Sequence, residues 1–324
     1  MILGQDRAVA QFLAAMRSGA LHHAWLLAGP RGVGKASFAR AAATRVLAEA
    51  AGPAVSLPGL DVPDDHPTAR LIAAGSHPDF RSLERLENEK TGTLARNISV
   101  AQIRSLSELL DLSPALSEWR AVVIDAADDL EPSAANALLK MLEEPPARCL
   151  FFLVAHAPGR LLPTIRSRCR RLDFQLLAGD AMTSILGREM PELSDGDRDR
   201  VAAMAGGSAG RALAFAALDL AKLEDTALRI LRDGDPTNSR RSDLSLELGR
   251  KGAGERYAAF LDLVPSLVAR EARRLEGGRR ERALQAYAQA RELAALAPRL
   301  SLDPAATVFQ LGGILASVSQ RPLP

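Results

Sequence analysis

Apolar positions recur every three or four residues across 5–18 (Val9, Phe12, Leu13, Met16), which predicts an amphipathic helix closed by Gly19. The spacing then changes. Ala24-Trp25-Leu26-Leu27-Ala28 is a continuous apolar run, short enough to read as a buried strand. It leads directly into Gly29-Pro30-Arg31-Gly32-Val33-Gly34-Lys35, and an Ala-rich helical pattern follows to about residue 51. Residues 52–79 are rich in Pro, Gly and Asp and read as a loop or poorly ordered insert. Helical spacing returns across 98–112 (Val100, Ile103, Leu106, Leu109, Leu110). Residues 121–125 form a second strand pattern, 132–144 a helix stopped by Pro145-Pro146, and 150–155 a third strand pattern.

Strands that alternate with helices predict a parallel α/β sheet with flanking helices. Beyond about residue 175 the strand-like runs cease and Ala/Leu helical periodicity takes over. Breaks near Gly206-Gly207 and 233–240 divide the remainder. The expected organisation is an α/β nucleotide-type domain over 1–175, a small helical domain over 176–218 and a larger all-helical domain over 219–324. No internal repeat of fixed period is present.

Composition narrows this picture mainly by exclusion. A hydrophobic fraction of 47% with 25% charged residues fits a globular chain rather than a low-complexity one. Basic and acidic residues number 41 and 39, a net charge of +2, so any nucleic-acid contact has to come from a local patch. Aromatics, at 4%, are too few for a chain that reads bases mainly by stacking. Cys149 and Cys169 cannot supply a four-thiolate zinc site, and His66 and His77 in the insert read as solvated or capping residues, so no metal or zinc is expected. Asp6 and Arg7 interrupt the N-terminal apolar stretch, which argues against a signal peptide, and no uncharged run nears the ~18 residues of a membrane span. A soluble, cytoplasmic protein without membrane contact is the expectation.

Gly29-x-x-x-x-Gly34-Lys35 has P-loop spacing in the strand-to-helix context that the motif requires. Gly29, Gly32 and Gly34 let the backbone curl round phosphate oxygens, and Lys35 would lie against the β- and γ-phosphates. The next residue, normally Ser or Thr as a Mg²⁺ ligand, is Ala36. Ser37 comes one place late, about 100° round the helix. A glycine-rich turn that binds nothing is the alternative. About 90 residues on, Val122-Val123-Ile124-Asp125 reads as a Walker B strand, with Asp125 placed to hold Mg²⁺. The residue that would activate water is Ala126, while Asp128 and Asp129 stand three and four places on. ATP or ADP with Mg²⁺ is therefore expected to bind weakly or not at all, with slow or absent hydrolysis.

Three further stretches carry a resemblance. They are Asn136-Ala137-Leu138-Leu139-Lys140-Met141-Leu142-Glu143-Glu144-Pro145-Pro146, then Leu162-Pro163-Thr164-Ile165-Arg166-Ser167-Arg168-Cys169, and Gly4-Gln5 with His23-Ala24-Trp25 ahead of the glycine loop. Together they resemble bacterial clamp-loader AAA+ subunits over about residues 1–175; beyond that the likeness is architectural. The resemblance implies an AAA+ P-loop domain, a helical lid and a helical collar that assembles subunits into a ring. It implies partners: the gamma/tau motor subunits and the delta subunit, and indirectly the sliding clamp and primer–template DNA. Polymerase chemistry would belong to another subunit.

Ala36 and Ala126 depart from the motor pattern and resemble the stator subunit of that family instead. The resemblance makes Arg168, in Ser167-Arg168-Cys169, a finger that reaches the ATP of a neighbouring motor subunit, where a guanidinium neutralises charge on the transferred phosphoryl group. A solvated basic turn is the alternative, with Arg166, Arg170 and Arg171 alongside. The family's sensor arginine is displaced here by one position, to Arg211 in Gly207-Ser208-Ala209-Gly210-Arg211. Arg273, Arg274, Arg279, Arg280 and Arg282 read as a solvated face before a DNA site. An active motor, with Ser37 and Asp128 replacing the lost ligands, and a stand-alone DNA-dependent AAA+ ATPase remain as competing functions.

Overall fold

The structure, a computed structural model, describes residues 1–88, 93–111, 113–218 and 220–319. Position 112 and the side chain of Leu109, part of the helical pattern over 98–112, lie outside them, as does position 219 at the expected domain boundary. The chain packs as two compact units, Met1–Ala181 and Met182–Pro324.

The first unit begins with α1 (Asp6–Arg17), β1 (Ala24–Ala28), α2 (Lys35–Ala51), α3 (Pro67–Ala73), β2 (Phe80–Glu84) and a hairpin of β3 (Glu87–Asn88) and β4 (Thr93–Leu94). It continues with α4 (Val100–Asp111), β5 (Arg120–Asp125), α5 (Pro132–Glu143), β6 (Cys149–Ala155), α6 (Pro163–Arg166) and β7 (Arg170–Asp173), and α7 (Gly179–Glu189) starts at its end. Five strands form one parallel sheet in the order β2-β5-β6-β1-β7.

The central strands read as unbroken apolar runs because helices cover both faces. Along β6, Leu150, Phe152 and Val154 face the core shared with α1 and α2, and Phe151, Leu153 and Ala155 face the core shared with α4, α5 and α6. Phe12, Trp25 and Phe38 meet edge-on in the first core, with Phe12 at ring separations of 5.1 and 5.9 Å. Such aromatic contacts add about 1 kcal/mol each beyond area burial.

Two strands lie outside the apolar pattern. β2 and β7 flank the sheet and bury few side chains: Phe80 and Leu83, on opposite faces, in one, and Leu172 alone in the other. The insert also differs from expectation. It is an ordered element containing α3, and the buried Arg45 of α2 binds it by donating to the carbonyls of Leu57 (2.7 Å) and Asp61 (2.9 Å). His66 is buried and caps α3 by accepting from the Thr68 N–H, and buried His77 accepts from the Asp79 N–H. Neither histidine is solvated; the capping expectation is realised at His66, while His77 closes a turn.

Among its described residues the second unit has helices as its only regular elements: most of α7, then α8 (Asp195–Ala205), α9 (Ala209–Ala217), α10 (Ala221–Asp233), α11 (Ser239–Leu248), α12 (Gly254–Ala272), α13 (Gly277–Leu300) and α14 (Pro304–Ala316). Phe260, Val264, Leu267 and Val268 of α12 are fully buried, and α13, whose buried residues include Ala283, Ala286 and Ala290, packs on α12. Buried Glu224 and Glu271 are held by Arg270 and by Arg232 and Arg274 respectively. No described helix is long and apolar enough to cross a membrane.

Candidate functional site

The candidate site lies where β1, β6 and β5 end side by side. Parallel strands direct their C-terminal ends, and the loops that follow, to one edge of the sheet, the usual place for a ligand in such folds. Register pairs Ala28 with Ala155 and Val154 with Asp125, so the glycine loop, His156 and Asp125 emerge together. The Gly29 N–H donates to Ala155 O at 3.3 Å, fixing the start of the loop to β6.

The glycines are required for different reasons. A Cβ on Gly29 would lie 2.3 Å from the carbonyl oxygen of Phe174, so the close approach of backbone excludes a side chain in addition to a φ of 156°. Gly32 and Gly34 have φ of 76° and 92°, in the left-handed region, and Gly34 is the N-cap of α2. Gln5, which a sequence reading leaves without a role, braces the loop: its amide donates to Val33 O (3.2 Å) and Gln175 O (2.9 Å).

Lys35 is buried, and its ammonium turns back on the loop, donating to Gly29 O at 2.7 Å and to Pro30 O. Burial lowers its pKa to about 8; the charges of Asp125 and Asp128 act in the opposite direction. Asp125 stands at the end of β5 with a raised pKa, chiefly from burial and next from Glu84, its register partner on β2. Ser37 is exposed on the first turn of α2, one residue past Ala36.

Asp128 is buried and fully engaged. One oxygen accepts the His156 N–H at 3.0 Å and the other the Ala157 N–H at 2.8 Å. Asp129 pairs instead with Arg85 at 3.3 Å. Burial, then the charge of Lys35, lowers the pKa of His156, whose Nδ1 is buried without a hydrogen-bond partner. Sequence reasoning gave His156 no role. The register of β1 and β6 is what places it beside the loop.

Arg168 follows α6 on the same unit, where Leu161 and Ile165 anchor the segment in the core. Its Nη1 donates to Thr164 O at 3.0 Å and its Nη2 lies 2.8 Å from Glu143 Oε1. Cys169 beside it has a pKa pushed by burial up to about 12, so it is a packed thiol rather than a nucleophile. In the second unit, Arg211 donates to Ser266 Oγ of α12 at 2.8 Å, and Ser208 caps α9.

The parallel sheet, the glycine loop between β1 and α2 and the aspartate closing β5 define an α/β AAA+ P-loop domain, followed here by a helical region. More narrowly, the chain belongs to the family described as DNA polymerase III, delta subunit, whose model matches residues 4–178. It is similar to DNA polymerase III subunit delta′ of Pseudomonas aeruginosa, 35% identical over 186 residues that cover 57% of this chain and 53% of the relative. It is also similar to subunit tau of Bacillus subtilis, 29% identical over 238 residues that cover 70% and 39%. The chain thus spans about half the length, or less, of these relatives. A solved gamma subunit-related protein of DNA polymerase III from Thermotoga maritima aligns over 94% of this chain and 98% of its own, at 18% identity and a TM-score of 0.47.

Proposed function

We propose that this chain is the delta-prime, or stator, subunit of a DNA polymerase III clamp loader in the cytoplasm. In that role it assists ATP-dependent loading of the sliding clamp onto primed DNA, in contact with gamma/tau motor subunits and the delta subunit. Its helical region serves as lid (176–218) and collar (219–324). Its Arg168 acts in trans on the nucleotide of a motor subunit, and polymerisation belongs to another subunit.

The observation that carries this reading is the state of the chain's own loop. The residues at the metal-ligand and base positions are Ala36 and Ala126, and Asp128, the carboxylate that would have to replace the lost base, has both oxygens on backbone N–H groups. Gly29, Gly32, Gly34 and Lys35 fit a phosphate, with Asp125 toward a metal, so ATP or ADP with Mg²⁺ would be held here weakly. Bound nucleotide would supply phosphoryl charge for Lys35 to neutralise once its ammonium leaves the loop carbonyls.

The similarity to tau favours a second reading, an active motor, which needs Ser37 and Asp128 to act as ligand and base. ATP turnover by the isolated chain separates the two. The stator reading expects turnover near background that Lys35→Ala does not change. Strong Mg²⁺-dependent hydrolysis abolished by Lys35→Ala would overturn it. In a reconstituted complex, Arg168→Ala is expected to cut hydrolysis while assembly persists.

A further inference from the structure

The guanidinium of Arg168 already has a partner within its own chain. Nη1 is held by the Thr164 carbonyl one turn back, and Nη2 by Glu143 at 2.8 Å. Glu143 is the last residue of α5, so its carboxylate stands where unsatisfied helix carbonyls add partial negative charge, with Glu144 next in sequence. A cation is the favourable partner for that position.

The pair stays open to water: the side chains of Arg168 and Glu143 are 36% and 42% exposed. Solvated pairs of this kind are weak and readily exchanged. A phosphate offers the same fork of N–H donors a bidentate, more highly charged acceptor. Glu143 and a phosphate therefore compete for one edge of the guanidinium, and Nη2 cannot serve both at full strength.

We propose that Glu143 is a positioning residue that docks Arg168 in the free subunit and gives it up to a nucleotide phosphate on the neighbouring subunit. The proposal rests on the reading of Arg168 as a trans-acting finger. The docking keeps the guanidinium ordered while the neighbouring site is empty. It also sets a small threshold, because the ion pair opens before the finger engages. Removing the carboxylate favours the engaged finger but leaves the engaged geometry as it was.

The test is steady-state ATP hydrolysis by the reconstituted complex, with the full chain, over a range of ATP concentrations. Glu143→Gln is expected to lower KM for ATP about two- to fivefold, the scale of a solvated pair, with kcat unchanged. Glu143→Lys, which repels the guanidinium, should lower KM at least as far, and Glu143→Asp should stay nearer the parent. In an Arg168→Ala background Glu143→Gln should change nothing. A fall in kcat with Glu143→Gln, or an unchanged KM where Arg168→Ala alone impairs hydrolysis, overturns the docking role. Hydrolysis untouched by Arg168→Ala overturns the finger reading beneath it.

Discussion

The carboxylate of Asp128 lies 3.0 Å from the backbone nitrogen of His156, and its second oxygen lies 2.8 Å from that of Ala157. The turn after β5 is thereby fastened to the turn after β6. Removing the carboxylate strands two N–H groups beside a buried site, each worth ~1–3 kcal/mol when left unsatisfied. Asp128→Ala is expected to destabilise the first unit by about 3 kcal/mol, read as a lower urea midpoint. Asp128→Asn recovers only part of this, since its amide turns one donor toward another. A loss of nucleotide binding without a loss of stability would show that Asp128 serves the ligand rather than the fold.

Lys35 gives a pH signature. Burial lowers its pKa from the usual 10.5 to about 8. Below pH 8 folded and unfolded chains both carry the proton, so the cost of burying the charge is constant. Between about pH 8 and 10.5 the unfolded chain binds more protons, and stability rises with pH. The full span of the shift corresponds to about 3 kcal/mol. Measured against Lys35→Met, which does not titrate, the parent should gain stability by up to that amount from pH 7.5 to 10. Parallel urea midpoints for the two proteins would show the ammonium to be freely solvated.

Much of this architecture is legible in the sequence because the central strands are buried on both faces. β1, β5 and β6 appear as apolar runs, and the glycine loop and Asp125 lie at their ends as the motif requires. β2 and β7 escape notice because flanking strands bury few side chains: β7 reads Arg170-Arg171-Leu172-Asp173 and buries only Leu172. The order of the insert is hidden for another reason. It is tied down in part by Arg45, a helix residue whose sequence neighbours give no sign of carbonyls 12 and 16 residues away. The Glu143–Arg168 pair joins two recognised motifs, yet only the fold brings them together.

That dependence makes Arg45 a sensitive position. It is 8% exposed, and its fork meets Leu57 O, Asp61 O and Glu49 together. Arg45→Ala should cost about 3 kcal/mol and speed amide exchange across 53–61, with the sheet strands still protected. Arg45→Lys should recover little, because a single ammonium does not span two carbonyls and a carboxylate. Unchanged exchange in the insert would mean that its other ties, His66 to Pro53 O and the Met1 amino group to Asp61, order it without Arg45.

The two glycines that bound the loop should respond differently to the same methyl group. At Gly29, where φ is 156°, a Cβ would also lie 2.3 Å from Phe174 O and 3.0 Å from Phe174 Cβ, and the backbone just after β1 and just after β7 would have to separate. At Gly34 the added carbon meets nothing within 4 Å, and the penalty comes only from a φ of 92°. Left-handed backbone costs an L-residue ~1–2 kcal/mol, whereas overpacking against backbone costs ~1–3 kcal/mol and often more. Gly29→Ala should therefore lower the urea midpoint more than Gly34→Ala. It should also disturb the Phe174 N–H···Ala28 O bond that joins β7 to β1, at 2.8 Å, seen as faster exchange of the Phe174 amide. Equal destabilisation by the two variants would show that conformation, and not the close approach of Phe174, selects glycine at both ends.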